Sequence, residues 1–266
     1  MADPLNLVTL LQSMIDHKAS ALHLTAGAPP WLELDGELIP LKLPPLADPE
    51  TRQLLAGVLT AQQATALQAE GQGMQHFAFS VKGVSRFDCC AFTQRGALAA
   101  TFRTIPFALP AAPAWLEPTR RWLQDPGLLC VAAGPPGSGR SGVLAQWVDH
   151  VNTTQKRIIL TLEAPIGFLH PHKNSAVNQV ELGSDVGASH ALALARGSGA
   201  SYVLVDLDDA LGLATNVLRG GVTVLASLTA HRIEVARAML EERIRPFERE
   251  AVRLVWLEAP GVGRIA

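Results

Sequence analysis

The spacing of apolar residues changes near residue 108, and the two parts of the chain predict different architectures. Over residues 5–17 apolar side chains recur at helical intervals, which predicts an amphipathic helix. Short apolar runs between turn signals predict strands at 21–24, 31–34, 37–39, 76–81, 85–93 and 98–105. A second helix is predicted around 50–69. Residues 1–108 are therefore predicted to form an α+β domain with a mainly antiparallel sheet.

From residue 127 onward, nearly continuous apolar runs alternate with helical patterns. Strands are predicted at 127–133, 157–162, 201–206, 222–228 and 252–257, and helices at 141–152, 185–196, 208–219 and 231–244. Such alternation is typical of a parallel sheet covered by helices on both faces, so residues 127–266 are predicted to form an α/β domain. The segment between the domains, 109–126, is rich in proline and alanine and is predicted to be a linker with a short helix at 119–123.

Composition narrows the class of protein further. Of the 266 residues 48% are hydrophobic and 17% are charged, which is typical of a globular protein. The formal net charge of −2 gives no reason to expect a nucleic-acid partner or general affinity for an anionic membrane. The three cysteines, Cys89, Cys90 and Cys130, do not form a disulfide framework. No signal peptide or membrane span is predicted, so we expect a cytoplasmic protein that reaches the inner membrane only through a partner.

A glycine-rich segment between a predicted strand and a predicted helix is the main candidate for chemistry. Glycines let a loop turn its backbone N–H groups toward an anion, and the following helix adds the positive end of its dipole. This spacing predicts a P-loop, although a plain connecting loop would have a similar composition. The candidate nucleotide-binding residues are Gly134, Pro135, Pro136, Gly137, Ser138, Gly139, Arg140 and Ser141.

Within that loop, Ser141 is the candidate Mg²⁺ ligand and Arg140 stands where the pattern requires lysine. A lysine is a slim point charge, whereas the arginine guanidinium is a wide planar fork. From the residues alone, Asp206 is the candidate carboxylate beside Mg²⁺, because it ends an apolar run. The acids at 206–209 are equally typical of a helix start, where the dipole favours them. His170 and His172 lack a third ligand, so no metal site is predicted there.

Taken together, these motifs resemble the PilT-like retraction ATPases of type IV pili, within the wider secretion ATPases that include GspE-type proteins. The similar segments are 19–30 (ASALHLTAGAPP), 34–36 (LDG), 83–87 (GVSRF), 102–106 (FRTIP), 134–141 (GPPGSGRS), 162–168 (LEAPIGF), 177–179 (VNQ) and 227–229 (SLT). The resemblance implies a PAS-like N-terminal domain joined to a RecA-like P-loop NTPase domain, with ATP and Mg²⁺ bound between them. It also implies a hexameric ring, formed with itself or with a PilT-like sibling, that works with an inner-membrane platform protein of a pilus or secretion machine.

The resemblance also implies site residues. Glu163 is the one acid left in a segment where the family carries three, and it is a candidate to hold the attacking water. Ala164 and Gly167 replace the other two acids. Arg86 and Arg103 match positions that can offer arginines in trans to nucleotide on a neighbouring subunit.

The catalytic positions of the family are altered in this chain. Leu207 stands where the family has its catalytic glutamate, and Asp206 stands at the preceding glycine. Thr229 stands at a histidine, with His231 two positions later. The family also continues well beyond its equivalent of residues 261–266, so a C-terminal helical region is expected to be missing.

Two hypotheses remain open at this point. The first is a nucleotide-binding protein of a type IV pilus or type II secretion-type machine, in which ATP binding is weak or absent and hydrolysis is impaired. The alternative is an active ATPase that drives pilus retraction with a rearranged catalytic site, in which Glu163 and Asp206 take the catalytic roles. A nucleic-acid motor is disfavoured by the net charge.

Overall fold

The computed structural model describes residues 5–68, 73–105, 108–183, 185–207, 210–244 and 250–266. The chain divides into two compact units, Met1–Phe107 and Ala108–Ala266. In the second unit, helices and strands alternate along the chain, whereas the first unit is built mainly from hairpins.

The first unit contains a six-stranded antiparallel sheet. Its strands are β1 (Ala21–Thr25), β2 (Trp31–Leu34), β3 (Glu37–Pro40), β4 (Met74–Val81), β5 (Ser85–Gln94) and β6 (Ala97–Ile105). They lie in the order β3-β2-β1-β6-β5-β4, and the central pair places Leu22 opposite Phe102. Helix α1 (Leu7–Asp16) begins at Asn6, whose side chain accepts a hydrogen bond from the Thr9 N–H. Its apolar face and the inner face of the sheet form one core.

The helix predicted around 50–69 is in fact two helices, α2 (Asp48–Ala56) and α3 (Ala61–Gln68). Gly57 lies at the C-terminal end of α2. Thr60 and Gln63 then form a reciprocal pair, in which the Gln63 N–H donates to Thr60 Oγ1 (3.2 Å) and the Thr60 N–H donates to Gln63 Oε1 (2.9 Å). This pair is a capping box, and it starts a new helix where the apolar spacing suggested a continuous one.

The second unit contains a seven-stranded sheet. Its strands are β7 (Leu129–Gly134), β8 (Ile158–Glu163), β9 (Ala176–Glu181), β10 (Tyr202–Asp206), β11 (Thr223–Thr229), β12 (Val252–Ala259) and β13 (Val262–Ile265). They lie in the order β13-β12-β7-β11-β10-β8-β9. All neighbouring pairs are parallel except β12 and β13, which form an antiparallel hairpin. The predicted parallel sheet is confirmed, whereas β9 and β13 were not predicted.

The helices of the second unit cover both faces of this sheet. They are α4 (Arg140–Thr154), α5 (Ala191–Gly197), α6 (Ala210–Leu218) and α7 (Ile233–Arg243). The helix predicted at 185–196 is shorter than expected, because residues 188–190 form a separate 3-10 turn. One core lies under α5, α6 and α7, and the other lies under α4. Within the described residues, no helix is long and apolar enough to cross a membrane.

The 3-10 helix Ala114–Gln124 joins the core under α4 rather than standing apart as a connection. Leu116, Trp122 and Leu123 are buried in that core. The Trp147 indole N–H on α4 donates to Thr119 Oγ1 (2.8 Å), and both residues are buried. Much of the segment predicted as a linker at 109–126 is therefore part of the packed second unit.

Candidate functional site

Four of the candidate positions lie at one edge of the parallel sheet, because each is the last residue of its strand. Gly134 ends β7, Glu163 ends β8, Asp206 ends β10 and Thr229 ends β11. The carboxyl edge of a parallel sheet is the usual place for ligand sites in α/β folds. The strand order also places β11 between the loop-bearing β7 and the acid-bearing β10.

The predicted P-loop leaves β7 at Gly134 and enters α4 at Arg140. Gly137 and Gly139 have φ values of 76° and 90°, a left-handed conformation that favours glycine. Gly139 is also the N-cap of α4, so the first N–H groups of a 15-residue helix have no acceptor within the helix. The loop therefore offers unpaired N–H donors and the positive end of the helix dipole, which fit a phosphate group.

Close packing behind the loop explains why its first glycine is required. A Cβ added at Gly134 would lie 2.5 Å from Ser138 Oγ and 2.6 Å from the Leu257 carbonyl oxygen. The Ser138 side chain is buried, and its hydroxyl has no hydrogen-bond partner among the residues that the structure describes. Ser138 thus fills the space beneath the loop, and Gly134 leaves room for it.

Arg140 does not extend freely from the loop. Its Nη1–H donates to Thr229 Oγ1 on β11, and the side chain is half-buried. Two positions at which the sequence departs from the PilT-like pattern are therefore in direct contact. Both departures are visible in the sequence, but their pairing is not, because 89 residues separate them along the chain.

The two candidate acids lie side by side on neighbouring strands, since Glu163 and Asp206 are in register between β8 and β10. Glu163 is buried, and its Oε2 accepts a hydrogen bond from the Gly167 N–H (3.1 Å). Burial raises the pKa of Glu163 to about 7. The charge of Asp206 adds to the rise, whereas the hydrogen bond from the Gly167 N–H opposes it. Near neutral pH Glu163 can therefore either hold or release a proton.

Ser141 and Glu163 both lie next to Gly167. A Cβ placed at Gly167 would be 3.9 Å from both Ser141 Cβ and Glu163 Oε2, so these residues surround one small space. Ser141 is exposed at the start of α4. Within the parts of the chain that the structure describes, no three His, Cys, Asp or Glu side chains are arranged to hold a metal ion alone. A hydroxyl and a neighbouring carboxylate fit Mg²⁺ that arrives with phosphate oxygens.

Leu207 follows Asp206 and is half-buried against the core under α5, α6 and α7. This side chain can neither accept a proton nor hold a water molecule. The other acids of the predicted cluster, Asp208 and Asp209, lie outside the described residues. Asp206 is thus the last described carboxylate of this strand.

The histidine pair takes structural positions. His170 is buried, and burial lowers its pKa to about 4. His172 accepts a hydrogen bond from the Val177 N–H at its Nδ1 (3.0 Å). Gln179 holds the same segment, because its amide accepts from the His170 N–H and donates to the Phe168 carbonyl, each at 2.7 Å.

The two candidate trans arginines lie in the first unit. Arg86 is on β5 and half-buried, and Arg103 is on β6 and exposed. Arg103 pairs in register with Asp88, which is two residues from Arg86, so both arginines occupy the same face of the sheet. This face is opposite the one that buries Phe87 and Phe102.

A pocket of about 590 Å³ adjoins the loop within the second unit. Gly137, Arg140 and Ser141 form one side of it, and Trp115 and Phe168 contribute aromatic surface. The Trp115 indole N–H donates to the Gly261 carbonyl (2.9 Å), which fixes the ring against the β12–β13 turn. Trp115 and Phe168 were not predicted as site residues, since no sequence motif connects them with the loop.

A parallel sheet whose loop strand passes through a glycine-rich turn into a helix defines the P-loop NTPase fold. No protein-family model matches the chain. It is 35% identical over 204 residues to the type IV pilus retraction ATPase PilT of Pseudomonas aeruginosa, a match that covers 76% of this chain and 59% of that protein. It is 32% identical over 179 residues to the type IV pilus ATPase PilU of the same organism, covering 66% of this chain and 46% of that protein.

A crystal structure of the pilus retraction motor PilT with bound ADP superposes with a TM-score of 0.81 at 27% identity, covering 95% of this chain and 78% of that one. The fold also matches the ATPase DotB of Legionella pneumophila, with a TM-score of 0.78 at 19% identity, over 96% of this chain and 77% of that one. The predicted resemblance to the PilT-like type IV pilus ATPases is therefore confirmed in both sequence and fold. It spans only about half the length of the curated PilT and PilU relatives.

Proposed function

We propose that this chain is a nucleotide-binding PilT-like subunit of a type IV pilus or type II secretion-type machine, with impaired hydrolysis. The observation that carries the proposal is a contrast, at one edge of the sheet, between the phosphate-binding loop and the catalytic position. The loop of Gly134 and α4 keeps the form that fits phosphate, whereas Leu207 packs into the core where the family has a catalytic acid.

The binding half of the proposal is supported by the loop and the adjoining pocket. The loop N–H groups would hold the phosphates, and the aromatic surface of Trp115 and Phe168 would receive the rest of an adenine nucleotide. Mg²⁺ bound with ATP would neutralise phosphate charge during transfer. Ser141 would contribute its hydroxyl to that ion, with Glu163 and Asp206 nearby.

The hydrolysis half of the proposal is supported by changes at five residues around that site. Leu207 cannot orient water, and Arg140 is bonded to Thr229. Ala164 and Gly167 leave Glu163 as the one acid of its segment. Because phosphoryl transfer depends on positioning and charge stabilisation, several simultaneous losses are expected to slow it strongly.

We further propose that the chain is cytoplasmic and joins a hexameric ring of its own copies or of a PilT-like sibling, docked on an inner-membrane platform protein. Arg86 and Arg103 are candidates to reach nucleotide on the neighbouring subunit. No nucleic-acid partner is proposed, since the net charge is −2.

Two measurements on the full chain test the proposal. Equilibrium binding of labelled MgATP and MgADP tests the loop, and phosphate release tests hydrolysis. We expect detectable binding of nucleotide and a turnover far below about 1 s⁻¹ per subunit, an ordinary rate for an enzyme. Arg140→Lys alone is not expected to restore turnover, because Leu207 remains.

Turnover near about 1 s⁻¹ would instead support the alternative, an active ATPase with a rearranged site. In that case Glu163→Gln and Asp206→Asn would each abolish it. Repeating the assay with a PilT-like sibling that carries the full motifs tests whether the chain regulates an active ring. Absence of any nucleotide binding would refute the binding half outright.

A further inference from the structure

The two ends of the P-loop are joined by a side chain. Thr229 lies in register with Gly134, and the Ala230 N–H donates to the Gly134 carbonyl (3.1 Å), so Thr229 is fixed at the strand end of the loop. Arg140 starts α4 at the helix end of the loop. The hydrogen bond from Arg140 Nη1 to Thr229 Oγ1 therefore links the helix end of the loop to its strand end.

The pocket adjoins the helix end of this hydrogen bond, and the sheet edge adjoins its strand end. The pocket is lined by the α4 side of the loop, by Trp115 and by Phe168. Thr229 and Glu163 each end a strand at that sheet edge. A nucleotide with its base in the pocket would extend its phosphates across the loop toward those strand ends.

A third phosphate would then meet a loop whose cation is already engaged. The guanidinium of Arg140 is wide and planar, and its bond to Thr229 holds it at the strand end of the loop. The buried carboxyl group of Glu163 lies at the same sheet edge, beside Asp206. When ionised, these acids repel a further anion. The remaining N–H groups of Arg140 can still donate to the last phosphate that the loop holds.

We propose that the Arg140–Thr229 pair makes this loop selective for a nucleoside diphosphate over a triphosphate, with Thr229 as the positioning residue. The inference rests on the proposed nucleotide binding. To contact a third phosphate, Arg140 must move away from Thr229. This movement breaks a hydrogen bond whose donor, the guanidinium, is charged. Such a loss corresponds to about a ten- to hundredfold weaker affinity.

Calorimetric titration of the full chain with MgADP and with MgATP tests the inference. We expect the wild-type chain to bind ADP at least about tenfold more tightly than ATP. Thr229→Val removes the hydroxyl and keeps the shape, so it is expected to bring the two affinities within about threefold of each other. Thr229→Ser keeps a hydroxyl and is expected to retain the wild-type ratio.

The ratio of the ADP and ATP affinities distinguishes a loss of Arg140 positioning from general damage to the loop. A loosened loop would weaken the binding of both nucleotides equally. Equal affinity of the wild-type chain for ADP and ATP would overturn the selectivity and leave the proposed nucleotide binding intact. A wild-type ratio that is unchanged in Thr229→Val would show that Thr229 does not position Arg140. Binding of neither nucleotide would overturn both the inference and the proposed function.

Discussion

Replacing Glu163 by glutamine is expected to remove a large pH dependence of stability. Burial raises the pKa of Glu163 from 4.5 to about 7 in the folded protein. Between these values the folded chain holds a proton that the unfolded chain has released, so the free energy of unfolding falls as pH rises. A tenfold change in an equilibrium constant is about 1.4 kcal/mol, so the wild type loses about 3 kcal/mol across this window.

Glutamine resembles the protonated carboxyl in shape and has no proton to release. The two proteins are therefore expected to be similarly stable near about pH 4.5, and the variant is expected to be more stable by about 3 kcal/mol above about pH 8. The sign follows from the raised pKa: the contribution of Glu163 is fully present below 4.5 and is lost through about 7.

Urea unfolding at several pH values measures this difference. Four of the five tryptophans lie in the second unit, so their fluorescence reports on the unit that contains Glu163. Glu242→Gln, at an exposed position on α7, is the control for the chemical change itself. A stability difference between Glu163→Gln and wild type that stays constant with pH would refute the buried, proton-holding state of this acid.

Two further predictions concern packing, and thermal unfolding measures both. Gly134→Ala places a Cβ 2.5 Å from Ser138 Oγ and is expected to destabilise the protein by about 1–3 kcal/mol. The matched change Gly142→Ala enters open space in a helix and is expected to stabilise it by up to about 1 kcal/mol; equal effects of the two changes would contradict the packing argument. Thr119→Val leaves the Trp147 indole N–H without its acceptor and is expected to cost about 1–3 kcal/mol, while Thr119→Ser is expected to cost much less.

Local patterns predicted most of the elements that build the site. The apolar runs before Gly134 and Asp206 are buried strands, and the glycine-rich spacing forms the turn into α4 as expected. These signals are short in sequence, because a strand, a tight turn and a helix start are each set by neighbouring residues. The two acids could be placed at one edge for the same reason.

Contacts between distant residues could not be predicted in this way. Strand β9 carries the polar pair Asn178 and Gln179, so its sequence is typical of a loop. In the folded chain the Gln179 amide bonds the segment from Phe168 to His170. The pairing of Arg140 with Thr229 depends on β11 lying beside β7, a neighbourhood that only the folded sheet creates.

The crowding behind Gly134 has an evolutionary consequence. A substitution at Gly134 lowers the stability of the fold whether or not the chain catalyses a reaction. Purifying selection on stability alone would therefore keep this glycine. A gene that no longer needs turnover can therefore carry its glycine signature for a long time. In this family, such a signature indicates descent and fold. The residues that position water and stabilise charge indicate whether a member still hydrolyses nucleotide.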